Sequence, residues 1–134
     1  MVAPKTVLVV DDSRVARMML RHYIQASCPD WLVFESESGE QAIADLEDVE
    51  PDVVAMDINM KGMSGLDAAE EIRRLYPHIW VVLITANIQE SSRQRAADMG
   101  ARFLPKPVTQ ASVAAMLDEC MLCTGPGRSD DRVQ

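Results

Sequence analysis

Five short apolar runs punctuate the chain: Thr6–Val10 (TVLVV), Trp31–Glu35 (WLVFE), Asp52–Met56 (DVVAM), Trp80–Ile84 (WVVLI) and the brief Arg102–Leu104. The first is rich in β-branched residues and lacks a polar–apolar alternation, the pattern of a strand buried on both faces, and the other four read as strands as well. Between them the period changes to that of a helix. After Ser13, a suitable N-cap, Val15, Met19 and Tyr23 recur with Ala16, Leu20 and Ile24, and Arg14, Arg17 and Arg21 fall opposite, up to Pro29. Ser38 with Gln41 reads as a capping box opening a helix through Leu46. Leu66, Ala69, Ile72 and Leu75 share a face before Pro77, and a more polar helix over 89–99 ends at Gly100, placed as a C′ residue. A last helix over 109–122 turns Val113, Met116, Leu117 and Cys120 inward. Buried strands that alternate with helices imply a parallel sheet covered on both sides.

Length agrees with this reading. A chain of 134 residues, 48% hydrophobic, makes one domain with one sizeable core. No apolar run reaches the length of a membrane span, and the first residues do not read as a signal peptide. A formal net charge of -8 argues against direct binding to nucleic acid. Three cysteines (Cys28, Cys120, Cys123) fit a reducing, cytoplasmic setting. Cys120 and Cys123 have CxxC spacing without a second pair, which reads as helix packing rather than a metal site. The tail over 125–134, GPGRSDDRVQ, is expected to be disordered.

In open α/β sheets ligands sit at the carboxyl ends of the strands. There the chain places Asp11 and Asp12 after the first run, Asp57 after the third, Thr85 after the fourth and Lys106 after the fifth. Two carboxylates about 4 Å apart repel by about 4 kcal/mol at an intermediate dielectric. Such a cluster calls for a cation. Lys106 offers one charge, and a hard divalent ion such as Mg²⁺, which favours oxygen ligands and retains room for phosphate oxygens, offers more.

The segments VVDDSR, MDINM, ITA and LPKP, in this order, resemble the receiver domain of two-component response regulators, with the layout of the single-domain chemotaxis type. The resemblance covers residues 5–123 as one receiver domain and leaves 124–134 as a disordered tail or the start of a linker. It implies a flavodoxin-like three-layer α/β/α sandwich, with a five-stranded parallel sheet in order 2-1-3-4-5 and five helices. It further implies that Asp57 accepts a phosphoryl group from a sensor histidine kinase or a phosphotransfer protein. Mg²⁺ would be bound by Asp12, Asp57 and the backbone carbonyl of Asn59, and by Asp11 through water. Lys106 would pair first with Asp57 and then with a phosphoryl oxygen, Thr85 would bind another, and a cis bond before Pro107 would help aim the lysine. Phe103 would fill the space left by Thr85 in a switch that changes how the helix 4–strand 5–helix 5 face binds an output protein. Such a chain is a phosphoacceptor that assists its own phosphorylation and dephosphorylation rather than an enzyme with turnover. It is expected to be cytoplasmic, a monomer or weak dimer, without membrane or nucleic-acid contacts. Helix one is the usual kinase contact in this family.

The sequence departs from the family pattern at Lys61, where proline is frequent, which puts the rigidity of that loop in question. Asn59 and Asn87, two residues beyond Asp57 and Thr85, stand where phosphate lifetime is set. Three other readings compete. A flavin binder of the same sheet order would need a phosphate cradle where Asp11 and Asp12 repel phosphate. A haloacid-dehalogenase-type phosphotransferase would need a second acid where DIN has none. A receiver-like interaction domain that never takes phosphate, or a receiver cut from a longer response regulator or hybrid kinase, completes the set.

Overall fold

A computed structural model describes residues 4–86 and 90–124, without the side chains of 90, 91 and 121–124. Strands and helices alternate throughout: β1 (Thr6–Val10), α1 (Arg14–Ser27), β2 (Leu32–Ser36), α2 (Gly39–Val49), β3 (Val53–Asp57), α3 (Gly65–Leu75), β4 (Trp80–Thr85), α4 (Glu90–Met99), β5 (Arg102–Pro105) and α5 (Gln110–Thr124). All strand pairs are parallel, and the order is β2-β1-β3-β4-β5. This is the doubly wound, flavodoxin-like sandwich.

Strand alternation divides the core in two. Val7, Val9, Val53, Ala55, Val82 and Ile84 face the side covered by α1 and α5, where Leu20, Ile24, Val113 and Leu117 pack on them. Leu8, Val10, Val54, Met56, Val81 and Leu83 face the side covered by α2, α3 and α4, under Leu46, Ala69, Ile72 and Ala96. The three central strands β1, β3 and β4 are therefore buried on both faces, which is why their sequences show no alternation.

Helix ends follow the capping chemistry. The Ser13, Ser38 and Ser64 hydroxyls accept the N–H groups of Ala16, Gln41 and Asp67. The expected capping box is offset by one residue, because the Gln41 amide oxygen accepts the N–H of Glu37 rather than that of Ser38. At the end of α4, Gly100 has φ +78°, its N–H reaches Ala97 O, and the Ala101 N–H reaches Ala96 O, a Schellman motif. The α2 helix runs three residues past Leu46, to Val49, and α5 includes Thr124, one residue beyond the expected domain end. The 125–134 tail, Asn87 and Gln89 lie outside the described residues.

The faces of α1 differ from the expectation. Leu20 and Ile24 are buried, but Val15, Met18 and Met19 are exposed. Arg17 and Arg21 are not a free polar face. The Nε atoms of Arg17 and Arg21 donate to the two oxygens of Glu35 at 2.9 and 2.8 Å, and Arg17 Nη1 donates to Asp11 O at 2.7 Å. The reason is that β2 carries Glu35 beside the first turns of α1, and the two arginine stems lie along that edge toward it.

Burial pushes the Glu35 carboxyl up, but the Arg17 and Arg21 guanidinium groups outweigh it and hold the group below its usual range. A depressed carboxylate contributes stability above its ordinary pKa and loses it as pH falls through the folded-state value. Glu35→Gln is therefore expected to lower stability by about 1–2 kcal/mol at pH 7, with the difference from wild type beginning to shrink near the ordinary glutamate pKa of about 4.3 and disappearing only below the depressed folded-state value. Urea denaturation across that range measures it, and an equal loss at acid and neutral pH would contradict the ion-pair account.

Candidate functional site

The ends of β1, β3, β4 and β5 meet at one edge of the sheet because the parallel register holds them level. Val10 stands beside Met56, Asp57 beside Ile84, and Thr85 beside Pro105. Each strand delivers its next polar residue to the same place. Carboxylate oxygens of Asp11, Asp12 and Asp57 lie within 4.8 Å of one another. Asp57 and Asp11 are buried, at 4% and 7% exposure, whereas Asp12 is open to solvent.

The cluster is partly offset within the chain. Lys106 Nζ sits 3.4 Å from Asp57 Oδ2, with its own side chain about one-third exposed (36%). Backbone amides serve one oxygen of each carboxylate: the Ser13 N–H donates to Asp11 Oδ1 at 2.8 Å, the Asn59 N–H to Asp57 Oδ1 at 3.2 Å, and the Lys61 N–H to Asp12 Oδ2 at 3.2 Å. Even so, one ammonium faces three carboxylates. Burial raises the pKa of Asp11; the Ser13 amide lowers it, Asp57 raises it again, Lys106 lowers it and Asp12 raises it, with a net upward shift. A group that resists ionisation in the fold is a strained one. Three carboxylates whose oxygens lie within 4.8 Å of one another, two of them buried, form a donor set suited to a hard divalent cation.

The other expected residues take these positions. Thr85 closes β4 and is buried, and its carbonyl accepts the Lys106 N–H at 2.9 Å. Phe103 pairs with Leu83 across β4 and β5 and packs, half-buried, against the core under α2, α3 and α4. Strand alternation puts Thr85 on the same face as Leu83 and hence as Phe103. The Lys106–Pro107 peptide bond is cis. Cys120 is buried in the core beneath α5.

Two site residues were not anticipated. A Cβ on Gly65 would stand 2.3 Å from the carbonyl oxygen of Asp57, so only glycine lets α3 start against the back of that aspartate. Glu40 reaches from α2 to the N–H of Met63 in the β3–α3 loop. The local sequence carries no signal of either: a glycine after an N-cap serine and an acid in a first helical turn are both ordinary, and only the tertiary contact gives them a task.

Gly65→Ala is expected to cost at least about 2 kcal/mol, since the obstructing atom is backbone and cannot swing away; near-wild-type denaturation would show that α3 shifts freely from Asp57. Asp11→Asn, which keeps the acceptor for Ser13 and removes one of three like charges, is expected to raise stability in divalent-free buffer by about 1–2 kcal/mol. Lower stability than wild type under those conditions would mean that the cluster is not strained.

Relatives agree with this arrangement. The family model for the response regulator receiver domain matches residues 7–118. The chain is 33% identical over 116 residues to the chemotaxis protein CheY of Thermotoga maritima, covering 86% of this chain and 96% of that protein. It is also 33% identical over 109 residues to the response regulator protein VraR of Staphylococcus saprophyticus, covering 81% of this chain but only 52% of that protein, about half its length. Among solved structures, Vibrio cholerae CheY4 superposes with a TM-score of 0.80 at 26% identity, covering 88% of this chain and 99% of that one. The response regulator domain of Thermotoga maritima CheB gives 0.78 at 28% identity, covering 91% and 97%. Fold, strand-end chemistry and kinship converge, and the chain belongs to the response regulator receiver domain family.

Proposed function

We propose that this receiver accepts a phosphoryl group on Asp57 from a histidine kinase or phosphotransfer protein, with Mg²⁺, and thereby changes the affinity of its α4–β5–α5 face for an output protein or domain. The observation that carries the reading is the buried Asp57 carboxylate, paired with Lys106 at 3.4 Å and within 4.8 Å of Asp11 and Asp12. Phosphoryl transfer is chiefly positioning and charge stabilisation, and this arrangement supplies both. In the transfer, the phosphorus–nitrogen bond of the donor phosphohistidine breaks, an Asp57 oxygen–phosphorus bond forms, and the imidazole leaves with the electron pair. A carboxylate nucleophile requires no general base near neutral pH.

Asp12, Asp57 and the Asn59 carbonyl would hold Mg²⁺, with Asp11 acting through water. When bound, the ion neutralises charge on the transferring oxygens. Lys106 then exchanges its Asp57 partner for a phosphoryl oxygen, and Thr85 donates its hydroxyl to another. Phe103, on the same sheet face as Thr85, responds by packing alone, because it has no hydroxyl. Two packings of that face would differ in population before and after phosphorylation. The protein is in this reading a switch that assists its own phosphorylation and dephosphorylation, working in the cytoplasm. Among the described residues no helix is long and apolar enough to cross a membrane.

Access for the donor fits the same edge. A cleft of about 480 Å³ runs from Asp11 and Lys106 along Ala16, Met19, Leu20 and Tyr23 of α1, beside Pro107 and Val108. Exposed Val15, Met18 and Met19 extend this apolar rim. It suits a kinase or phosphotransfer helix laid against α1.

Incubation with acetyl phosphate and Mg²⁺ is expected to add one phosphoryl mass to wild type and none to Asp57→Asn, by intact-protein mass spectrometry. An equal adduct on Asp57→Asn would overturn the assignment. No adduct on wild type would leave a receiver fold that works by protein contact without phosphate.

A further inference from the structure

The β3–α3 loop, residues 58–64, orients its amides in a regular way. Alternate N–H groups point into the molecule, and each finds an oxygen. Asn59 donates to Asp57 Oδ1, Lys61 to Asp12 Oδ2 and Met63 to Glu40 Oε2, each at 3.2 Å, and Gly65 donates to Ile58 O at 3.0 Å. Three carboxylates thus hold one strip of backbone. Two of them belong to the acidic cluster. The third, Glu40, comes from the first turn of α2, a separate element, and is not among the carboxylates that lie within 4.8 Å of one another.

The loop is cut to receive it. Gly62 has φ +77°, and a Cβ there would stand 3.0 Å from Glu40 Oε2. Position 61 matters as well. A proline would have no N–H to give Asp12, whereas Lys61 has one and gives it. A loop that lacks proline's fixed backbone is instead pinned from both sides, by Asp12 at residue 61 and by Glu40 at residue 63. The same loop carries Asn59, whose amide meets Asp57.

We propose that Glu40 is a positioning residue for the cation site. By accepting the Met63 N–H it fixes the loop where the Lys61 N–H holds one oxygen of Asp12 and the Asn59 backbone lies against Asp57. Ligating carboxylates are oriented by hydrogen bonds of this kind, and Glu40 acts one step further out, through the backbone. The inference rests on the Mg²⁺ reading given above and deepens it.

The test is Mg²⁺ titration by isothermal calorimetry at constant ionic strength and neutral pH, with amide NMR of Lys61 and Met63 in divalent-free buffer. Three variants separate reach from charge. Glu40→Ala removes the acceptor. Glu40→Asp keeps the charge, and the acid in the first turn of α2, but is one methylene too short. Glu40→Gln loses the charge and keeps an oxygen at full reach. Glu40→Ala and Glu40→Asp are expected to raise the Mg²⁺ Kd about threefold to tenfold and to move the Lys61 and Met63 amide resonances. Glu40→Gln is expected to stay within about twofold of wild type. The reverse ranking, with Asp like wild type and Gln weak, would make Glu40 a distant charge and overturn the proposal, as would unchanged affinity in all three. Wild type without Mg²⁺ affinity would instead overturn the cation reading itself, and this inference with it.

Discussion

Three carboxylates brought together at the edge of a parallel sheet are the constraint on which the rest of this receiver turns. Asp11 and Asp12 follow, and Asp57 ends, a strand that must be buried for the sheet to form, and the register leaves them no choice of place. The hydrophobic burial of Val7–Val10, Val53–Met56 and Val81–Ile84 thus works against the mutual repulsion of the acids beyond them. At an intermediate dielectric each close pair opposes the fold by a few kcal/mol, a large fraction of what a domain of this size has to spare. Everything around the site answers that repulsion: Lys106 from β5, and amides from the α1 turn and the β3–α3 loop. A fold that tolerates such strain keeps it where function lies.

The amides are as telling as the lysine. A backbone N–H cannot be titrated or swung away, so the Ser13, Asn59 and Lys61 donors tie the carboxylates to the course of the chain itself. The route of the β3–α3 loop then becomes an electrostatic matter. Gly65 lets α3 begin against the Asp57 carbonyl, Gly62 turns the loop with a positive φ, and Glu40 holds it from α2. Helices two and three, which carry no member of the acidic cluster, are part of the site through this loop.

The fold was legible because its signals are local. The β-branched runs from Val7 and from Val81 announce doubly buried strands, Ser13 and Ser38 stand at helix starts, and Gly100 follows the last residue of α4. The strand-end acids, Thr85 and Lys106 were legible too, since an α/β sheet fixes which ends converge. What could not be read was tertiary pairing. Arg17 and Arg21 could be placed only on the face opposite the apolar residues, because nothing near them in sequence reveals that Glu35, on β2, lies beside α1. Val15 and Met19 matched a core period yet remain exposed, because the helix covers the sheet through Leu20 and Ile24. Glu40 was hidden within what read as a capping sequence, and its partner lies 23 residues away.

The central claim is that the acidic cluster is strained until a divalent cation joins it. Guanidinium-free thermal unfolding of wild type and Asp12→Asn against increasing MgCl₂, with NaCl adjusted to constant ionic strength, tests it most directly. A ligand that binds only the folded state stabilises it by RT ln(1 + [L]/Kd), about 2.7 kcal/mol at one hundred times Kd. Wild type is predicted to show a Tm that climbs with Mg²⁺ along that law, while Asp12→Asn, which has one carboxylate fewer in the cluster, shows little or no rise. A Tm for wild type that is flat in Mg²⁺, or a rise of the same size in both proteins, would contradict the account.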